Sequence, residues 1–190
     1  MQQFPQNHLI SPRTGVLIGM VALAVGVRLL IHFVPGVFPY NFTPVEAIAL
    51  FGGAYFTDRR LAFIVPLAAM FLADLVIGLH TLIPVIYACI AASVLLGFGL
   101  RNKVGVLRVA GVGIAGSLMF FAVVSFAEWL MGDTVYCREG IVSCYVAAIP
   151  FLKGWLAGTL VWSAILFGGF ELMRRRWASL DNRGSLTAGA

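Results

Sequence analysis

The sequence predicts an all-α membrane protein with six transmembrane helices, and three observations predict it. Of the 190 residues, 61% are hydrophobic and 11% are charged, whereas a soluble domain is about 45–50% apolar and about 25% charged. The apolar residues form six runs separated by short polar segments, and most basic residues lie between the runs. This composition excludes a soluble enzyme, a disordered chain and a DNA-binding domain, because lipid is the solvent that suits so apolar a surface.

The six runs predict the helices in chain order. The expected spans are 15–34, 45–57, 61–79, 83–100, 107–131 and 146–173. The first resembles a signal peptide but lacks a small-residue cleavage site, so we interpret it as a retained span. The second is short for a hydrocarbon core of about 30 Å and should lie against protein. Thr43 followed by Pro44 predicts its start, with Thr43 as the N-cap, and Gly52-Gly53 should loosen it.

The basic residues predict the orientation. Ten of the 13 lie in the termini and in the loops on one side, whereas the loops on the other side hold only Arg138. Because Lys and Arg mark the cytoplasmic side of a membrane protein, both termini are predicted to be cytoplasmic. The expected organisation is a cytoplasmic N-terminus (1–13), a six-helix membrane domain (14–176) and a flexible cytoplasmic tail (177–190).

Ionisable residues within the spans are the candidates for ligand binding. On insertion scales such a residue costs about 2.5–3.5 kcal/mol at the centre of a span, so it needs a partner, water or a ligand. With the predicted orientation these residues fall in the outer half of the bilayer, so we expect a polar cavity there, closed by loops 35–44 and 132–145. Snorkelling of residues such as Glu46 and Glu128, or internal salt bridges to Asp74, are alternatives. The candidate ligand-binding residues are Arg28, Asp74, His80, Tyr87 and Lys153.

Small residues recur on one face of the first span. Gly15, Gly19, Ala22 and Gly26 follow helical spacing, which lets another helix approach closely. Packing within the bundle and docking of a partner membrane protein both explain this face.

Two cysteines, Cys137 and Cys144, lie seven residues apart in one outer loop. An oxidising compartment outside the membrane would allow a disulfide between them. Two free thiols are the alternative, because spacing alone does not establish disulfide geometry.

Motifs for catalysis are absent from the sequence. It contains no phosphate-binding P-loop, no nucleophile elbow and no zinc-protease motif. We therefore expect a protein that is not an enzyme and holds no intrinsic cofactor.

Three stretches carry a resemblance to known families: 41–56, 65–74 and 148–151. They resemble an uncharacterised bacterial membrane family expected to act in transport. The six apolar runs, the polar outer half and the small residues of the first span also resemble the substrate-binding S components of energy-coupling-factor (ECF) vitamin transporters. Within that group, the similarity is to the solitary BtuM-like type for vitamin B12.

The resemblance implies a protein of the bacterial inner membrane that binds a vitamin-like ligand, cobalamin above all, from the periplasmic side. Transport would need an ECF-type ATPase and transmembrane module or unaided reorientation. Members of the B12 type can present a cysteine to cobalt, and the counterpart here is His80, since imidazole is a good transition-metal ligand. Without that cysteine, thiol-driven removal of an upper ligand is not expected, and an interfacial helix-end role for His80 is the alternative.

Two other functions remain open at this point. One is a non-transporting accessory subunit of a larger membrane complex, in which the outer charges form internal ion pairs. The other is an intramembrane enzyme, which would depend on Glu128, His80 or His32.

Overall fold

The computed structural model describes residues 12–34, 36, 38–39, 41–132 and 134–176, and all their regular structure is helical. The predicted tail, and all but two residues of the predicted N-terminal segment, lie outside the described residues. The helices are α1 (Pro12–Phe33), α2 (Val45–Tyr55), α3 (Arg59–Ile77), α4 (Ile83–Phe98), α5 (Val106–Met131), α6 (Val135–Arg138) and α7 (Ile141–Arg176).

The predicted all-α class is confirmed, and each of the six runs corresponds to one helix of more than ten residues. The largest difference lies in the predicted loop 132–145, which contains the short helix α6 and the first turn of α7. Among the described residues, α3, α5 and α7 are long and apolar enough to cross a membrane, while α2 and α4 are shorter apolar helices. The chain therefore has the helices of a membrane protein.

Helix α2 is the centre of the bundle. All its residues are buried, and it contacts α1, α3, α4, α5 and α7. A helix surrounded by protein is apolar on every side, which explains its composition. A helix buried in protein does not have to cross the whole hydrocarbon core, so α2 can be short. The predicted N-cap at Thr43 is wrong: Pro44 occupies the N-cap position and no side chain caps the helix. The backbone of Thr43 instead packs against Gly158 of α7.

Glycines allow α2 and α4 to touch at their backbones. A Cβ at Gly53 would lie 2.9 Å from the Cα of Gly97, and a Cβ at Gly97 would lie 3.1 Å from the Cα of Leu50. Small residues permit such close helix contact. Gly53 thus serves packing rather than the expected loosening of α2.

Arg101, in the loop after α4, caps the C-terminal end of α2. Its guanidinium donates from Nε to the carbonyl oxygen of Gly53 (2.8 Å) and from Nη2 to that of Phe56 (2.6 Å), which satisfies carbonyl groups left free at a helix C-terminus. Burial, and secondarily the positive charge of Arg59, lowers the pKa of Arg101. The two hydrogen bonds hold the Arg101 side chain against the end of α2.

Candidate functional site

A cavity of about 780 Å³ lies between α5, α6 and α7, within the range of pockets that bind small molecules. Asn41 of the α1–α2 loop and Leu82 of the α3–α4 loop complete its wall. These loops and α6 alternate along the chain with the α2–α3 turn, which Arg59 follows as the first residue of α3, and with the α4–α5 loop, which contains Arg101. The cavity thus lies at the end of the bundle away from those arginines.

The lining of the cavity is mainly apolar and aromatic. The rings of Phe120 and Trp155 are stacked, with centroids 4.0 Å apart and planes inclined by 13°, and Phe121 and Phe151 also face the space. Glu128 contributes the one ionisable carboxylate among the described residues of the wall. Such a wall can hold a flat or aromatic solute through ring contacts.

A disulfide joins Cys137 of α6 to Cys144 of α7. Both cysteines are buried and both belong to the cavity wall. Arg138 donates from Nε to the carbonyl oxygen of Gly132 at 2.9 Å. Helix α6 is therefore tied covalently to α7 and by a hydrogen bond to the end of α5.

Three of the predicted ligand-binding residues contact one another instead of the cavity. The hydroxyl of Tyr87 donates to Asp74 Oδ2 at 2.8 Å, and Arg28 Nη2 lies 3.5 Å from Asp74 Oδ1. Arg28 also contacts the sulfur of Met70. The space beside Arg28 is about 10 Å³, about the volume needed for one water molecule. The internal salt bridge between Asp74 and Arg28, one of the alternatives, is thus present.

The other two predicted residues lie apart from this cluster. His80 is exposed in the α3–α4 loop, and its backbone carbonyl accepts from the amide of Ile83 at 3.2 Å. Lys153 is exposed on α7. Among the described residues, no three His, Cys, Asp or Glu side chains form a group that could hold a metal ion. The structure thus brings together Arg28, Asp74 and Tyr87, but not His80 or Lys153.

Glu46 is the polar residue whose position the sequence predicted least well. Snorkelling is wrong for it, because its side chain is 0% exposed at the centre of the bundle. Ser93 Oγ lies 2.7 Å from Oε1 of Glu46 and 3.0 Å from the carbonyl oxygen of Cys89. Oε2 of Glu46 is buried without a hydrogen-bond partner in the described part of the chain. In the sequence, the one indication of this position is that Glu46 is a single charged residue in an otherwise apolar run.

The aromatic wall of the cavity was also missed. Phe120 and Trp155 lie in apolar helices, where the sequence does not distinguish a ring that faces a cavity from one that faces lipid. Only their juxtaposition across α5 and α7 identifies them.

The small-residue face of α1 is open. Gly15, Gly19, Ala22 and Gly26 are all exposed, and a Cβ at Gly19 or Gly26 would meet no atom within 4 Å. Helix α1 contacts α2 and α3, and Val16 and Val25 are the α1 residues that pack against the core. In the described chain the small-residue face is therefore not packed within the bundle, which was one of the two explanations.

Comparison with known proteins identifies a family. The family described as "Family of unknown function (DUF6580)" matches residues 8–180, nearly the whole chain. No curated protein and no solved structure matches the sequence.

Proposed function

The chain belongs to DUF6580, a family of unknown function, and we propose that it is an inner-membrane protein that binds a vitamin-like solute from the outer side for uptake. The observation that carries this proposal is the cavity of about 780 Å³ between α5, α6 and α7. Its aromatic wall favours a solute with a flat, largely apolar body.

The proposal includes a topology of six spans with both termini in the cytoplasm. It is supported by the positions of Arg59, Arg60 and Arg101, which lie at the end of the bundle away from the cavity. The disulfide at the cavity end also supports it, since disulfides persist in oxidising compartments such as the periplasm. In this orientation the cavity faces outwards.

Filling the cavity tests the proposal. Small molecules extracted from the purified protein are identified by mass spectrometry and visible absorption, and compared with those from Ala148→Trp, which places an indole into the cavity wall. We expect a solute with the wild type that is lost from the variant. Leu107→Trp, at an exposed position on α5 outside the cavity, is the control. No solute with any of the three proteins would contradict the proposal.

Cobalamin is the narrower candidate for the solute, with His80 as the axial ligand of cobalt. The support is the resemblance to B12-binding S components and the position of His80, two residues before Leu82 of the cavity wall. Aquocobalamin should change its visible absorption when the purified protein is added, and His80→Ala should abolish the change. An unchanged spectrum with the wild type would remove cobalamin from the proposal.

Contact of the solute with Arg28, Asp74 or Tyr87 would require their ion pair to open. We therefore assign solute contact first to the cavity wall, and to those residues only if their variants lose binding while the fold is kept. Lys153 would contact the solute only from the rim, because its side chain is exposed.

A partner membrane complex is proposed for the open face of α1. An ECF-type ATPase and transmembrane module would dock there, because Gly19 and Gly26 offer a smooth surface to another helix. Gly19→Leu should leave the isolated protein folded but prevent a partner from copurifying under mild extraction. A partner that copurifies equally with both proteins would exclude this face as the docking surface.

A specific observation also favours the accessory-subunit function. The cluster of Arg28, Asp74 and Tyr87 satisfies its own polar groups, as expected of charges that serve structure. This function predicts a stable partner after extraction and no bound solute in the same mass-spectrometric experiment.

A further inference from the structure

The carboxyl of Glu46 has no role in the proposed function. It lies fully buried in the central helix α2, and it forms no ion pair with the described residues. Its Oε2 has no hydrogen-bond partner among them. An ionised carboxylate without a cation is strongly disfavoured in an apolar interior, and the group takes up a proton instead.

The hydrogen bonds of Ser93 also indicate that Glu46 is protonated. Ser93 Oγ lies within hydrogen-bond distance of both Glu46 Oε1 and the carbonyl oxygen of Cys89. A hydroxyl has one proton to donate, and a helical serine commonly donates it to the carbonyl four residues earlier, here that of Cys89. A protonated Glu46 then donates to Ser93, and both distances are explained. An ionised Glu46 would leave two acceptors for one proton.

The helices packed against α2 bring one other titratable group close to Glu46. This group is Cys89 on α4, whose carbonyl oxygen and Glu46 Oε1 both lie within hydrogen-bond distance of Ser93 Oγ. The backbone of Gly116 on α5 also lies against the carboxyl. Of the other charged or titratable side chains described on these helices, some have partners or line the cavity: Arg28, Asp74 and Tyr87 contact one another, Glu128 lines the cavity, Glu171 pairs with Arg174 and Arg175, and the hydroxyl of Tyr145 donates to the carbonyl oxygen of Ala122. The others are exposed: His32, Arg59, Arg60, Arg108, Lys153 and Arg176.

Neighbouring residues of α5 lie against this carboxyl and against the cavity. A Cβ at Gly116 would overlap Oε1 of Glu46, and the next residue, Ser117, belongs to the cavity wall. Ser117 Oγ lies 3.2 Å from Oγ1 of Thr159 on α7. Ser117 thus places a hydroxyl at the cavity wall, one residue from the glycine that lies against the carboxyl.

We propose that Glu46 is a proton-binding site inside the bundle that exchanges its proton with the solute cavity past Gly116 and Ser117. On release, the O–H bond of the carboxyl breaks, a water molecule entering from the cavity takes the proton, and a carboxylate remains. This site stands on the geometry of Glu46 itself and does not depend on which solute the cavity binds.

Infrared spectroscopy of the purified full-length protein tests the proposal. At neutral pH we expect the C=O band of a protonated carboxylic acid, which Glu46→Gln removes. Glu171→Gln is the matched control and should retain the band, because Glu171 is paired with Arg174 (2.9 Å) and is ionised. Ser93→Ala should shift the band, because the carboxyl loses its hydrogen-bond partner.

Exchange of the Glu46 proton with water is measured on the wild type alone, so the result does not depend on the folding of a variant. Transfer into D2O should shift the band within minutes, and alkaline pH should replace it with the carboxylate band. Absence of the band at neutral pH would show that Glu46 is ionised and would overturn the proposal. A band that resists both D2O and alkali would overturn it as well, because the carboxyl would then be sealed from the cavity.

Discussion

The cluster of Arg28, Asp74 and Tyr87 and the cavity between α5, α6 and α7 lie in one bundle but treat polarity in opposite ways. In the cluster, Asp74 pairs with Arg28 and accepts a hydrogen bond from the hydroxyl of Tyr87. The space left beside these groups holds about one water molecule. In the cavity, about 780 Å³ is bounded mainly by aromatic and aliphatic side chains. The difference teaches that charge within an apolar helix does not by itself identify a ligand site.

The physical reason lies in the cost of an unpaired charge. In a low-dielectric interior an ion is stable only beside a partner of opposite sign. Charged side chains on neighbouring helices therefore pair with one another and are not left available to a ligand. Open space is stable only where side chains do not reach across it, and here rings and small residues surround it.

Asp74→Ala should have the largest effect on stability. It leaves Arg28, 16% exposed, without its anion, and breaking a buried pair from one side costs about 3–5 kcal/mol. Unfolding in detergent followed by circular dichroism measures the loss. Glu171→Ala, in a half-exposed pair at the end of α7, should cost less than about 1 kcal/mol. A stable Asp74→Ala protein that has lost its solute would instead assign Asp74 to ligand binding.

Removal of the disulfide should have the next largest effect. Cys137→Ser combined with Cys144→Ser should lower the free energy of unfolding by about 2 kcal/mol, because the bond closes a short loop in the unfolded chain. A reductant should lower the stability of the wild type by a similar amount and leave the double variant unchanged. A wild type insensitive to the reductant would show that α6 is held by its other contacts.

Phe120→Ala should act on the cavity and leave the cluster intact. Loss of a stacked ring removes about 0.5–1.5 kcal/mol, so the affinity for the copurifying solute should fall by up to about tenfold. Phe126→Ala is the matched control, because Phe126 is on the same helix but 45% exposed and outside the cavity wall. Equal losses of affinity in the two variants would place the solute elsewhere.

Lys153→Ala should have the smallest effect. Its side chain is exposed on α7, and surface substitutions usually change stability by less than about 0.5 kcal/mol. Unfolding and solute retention, measured as for Phe120→Ala, should both match the wild type. A marked loss of solute would show that Lys153 reaches over the rim of the cavity to bind it.

The sequence by itself determined the elements of this fold. The six apolar runs correspond to α1–α5 and α7, and the proline and glycine residues between them mark the loops. It also contains the ionisable residues within the apolar runs and the cysteine pair that the structure joins. These features depend on hydropathy, turn residues and spacing along the chain, all of which are local properties.

Only the tertiary structure decided which side chains meet. Arg28 and Asp74 are 46 residues apart in sequence, and Glu46 and Ser93 are 47 apart, so their contacts depend on how helices pack around α2. The same holds for the rings of Phe120 and Trp155, which look like lipid-facing residues until α5 and α7 are placed side by side. Hydropathy measures how apolar a residue is. The pairing of side chains and the volume of the cavity depend on distances between helices, which cannot be read from hydropathy along the chain.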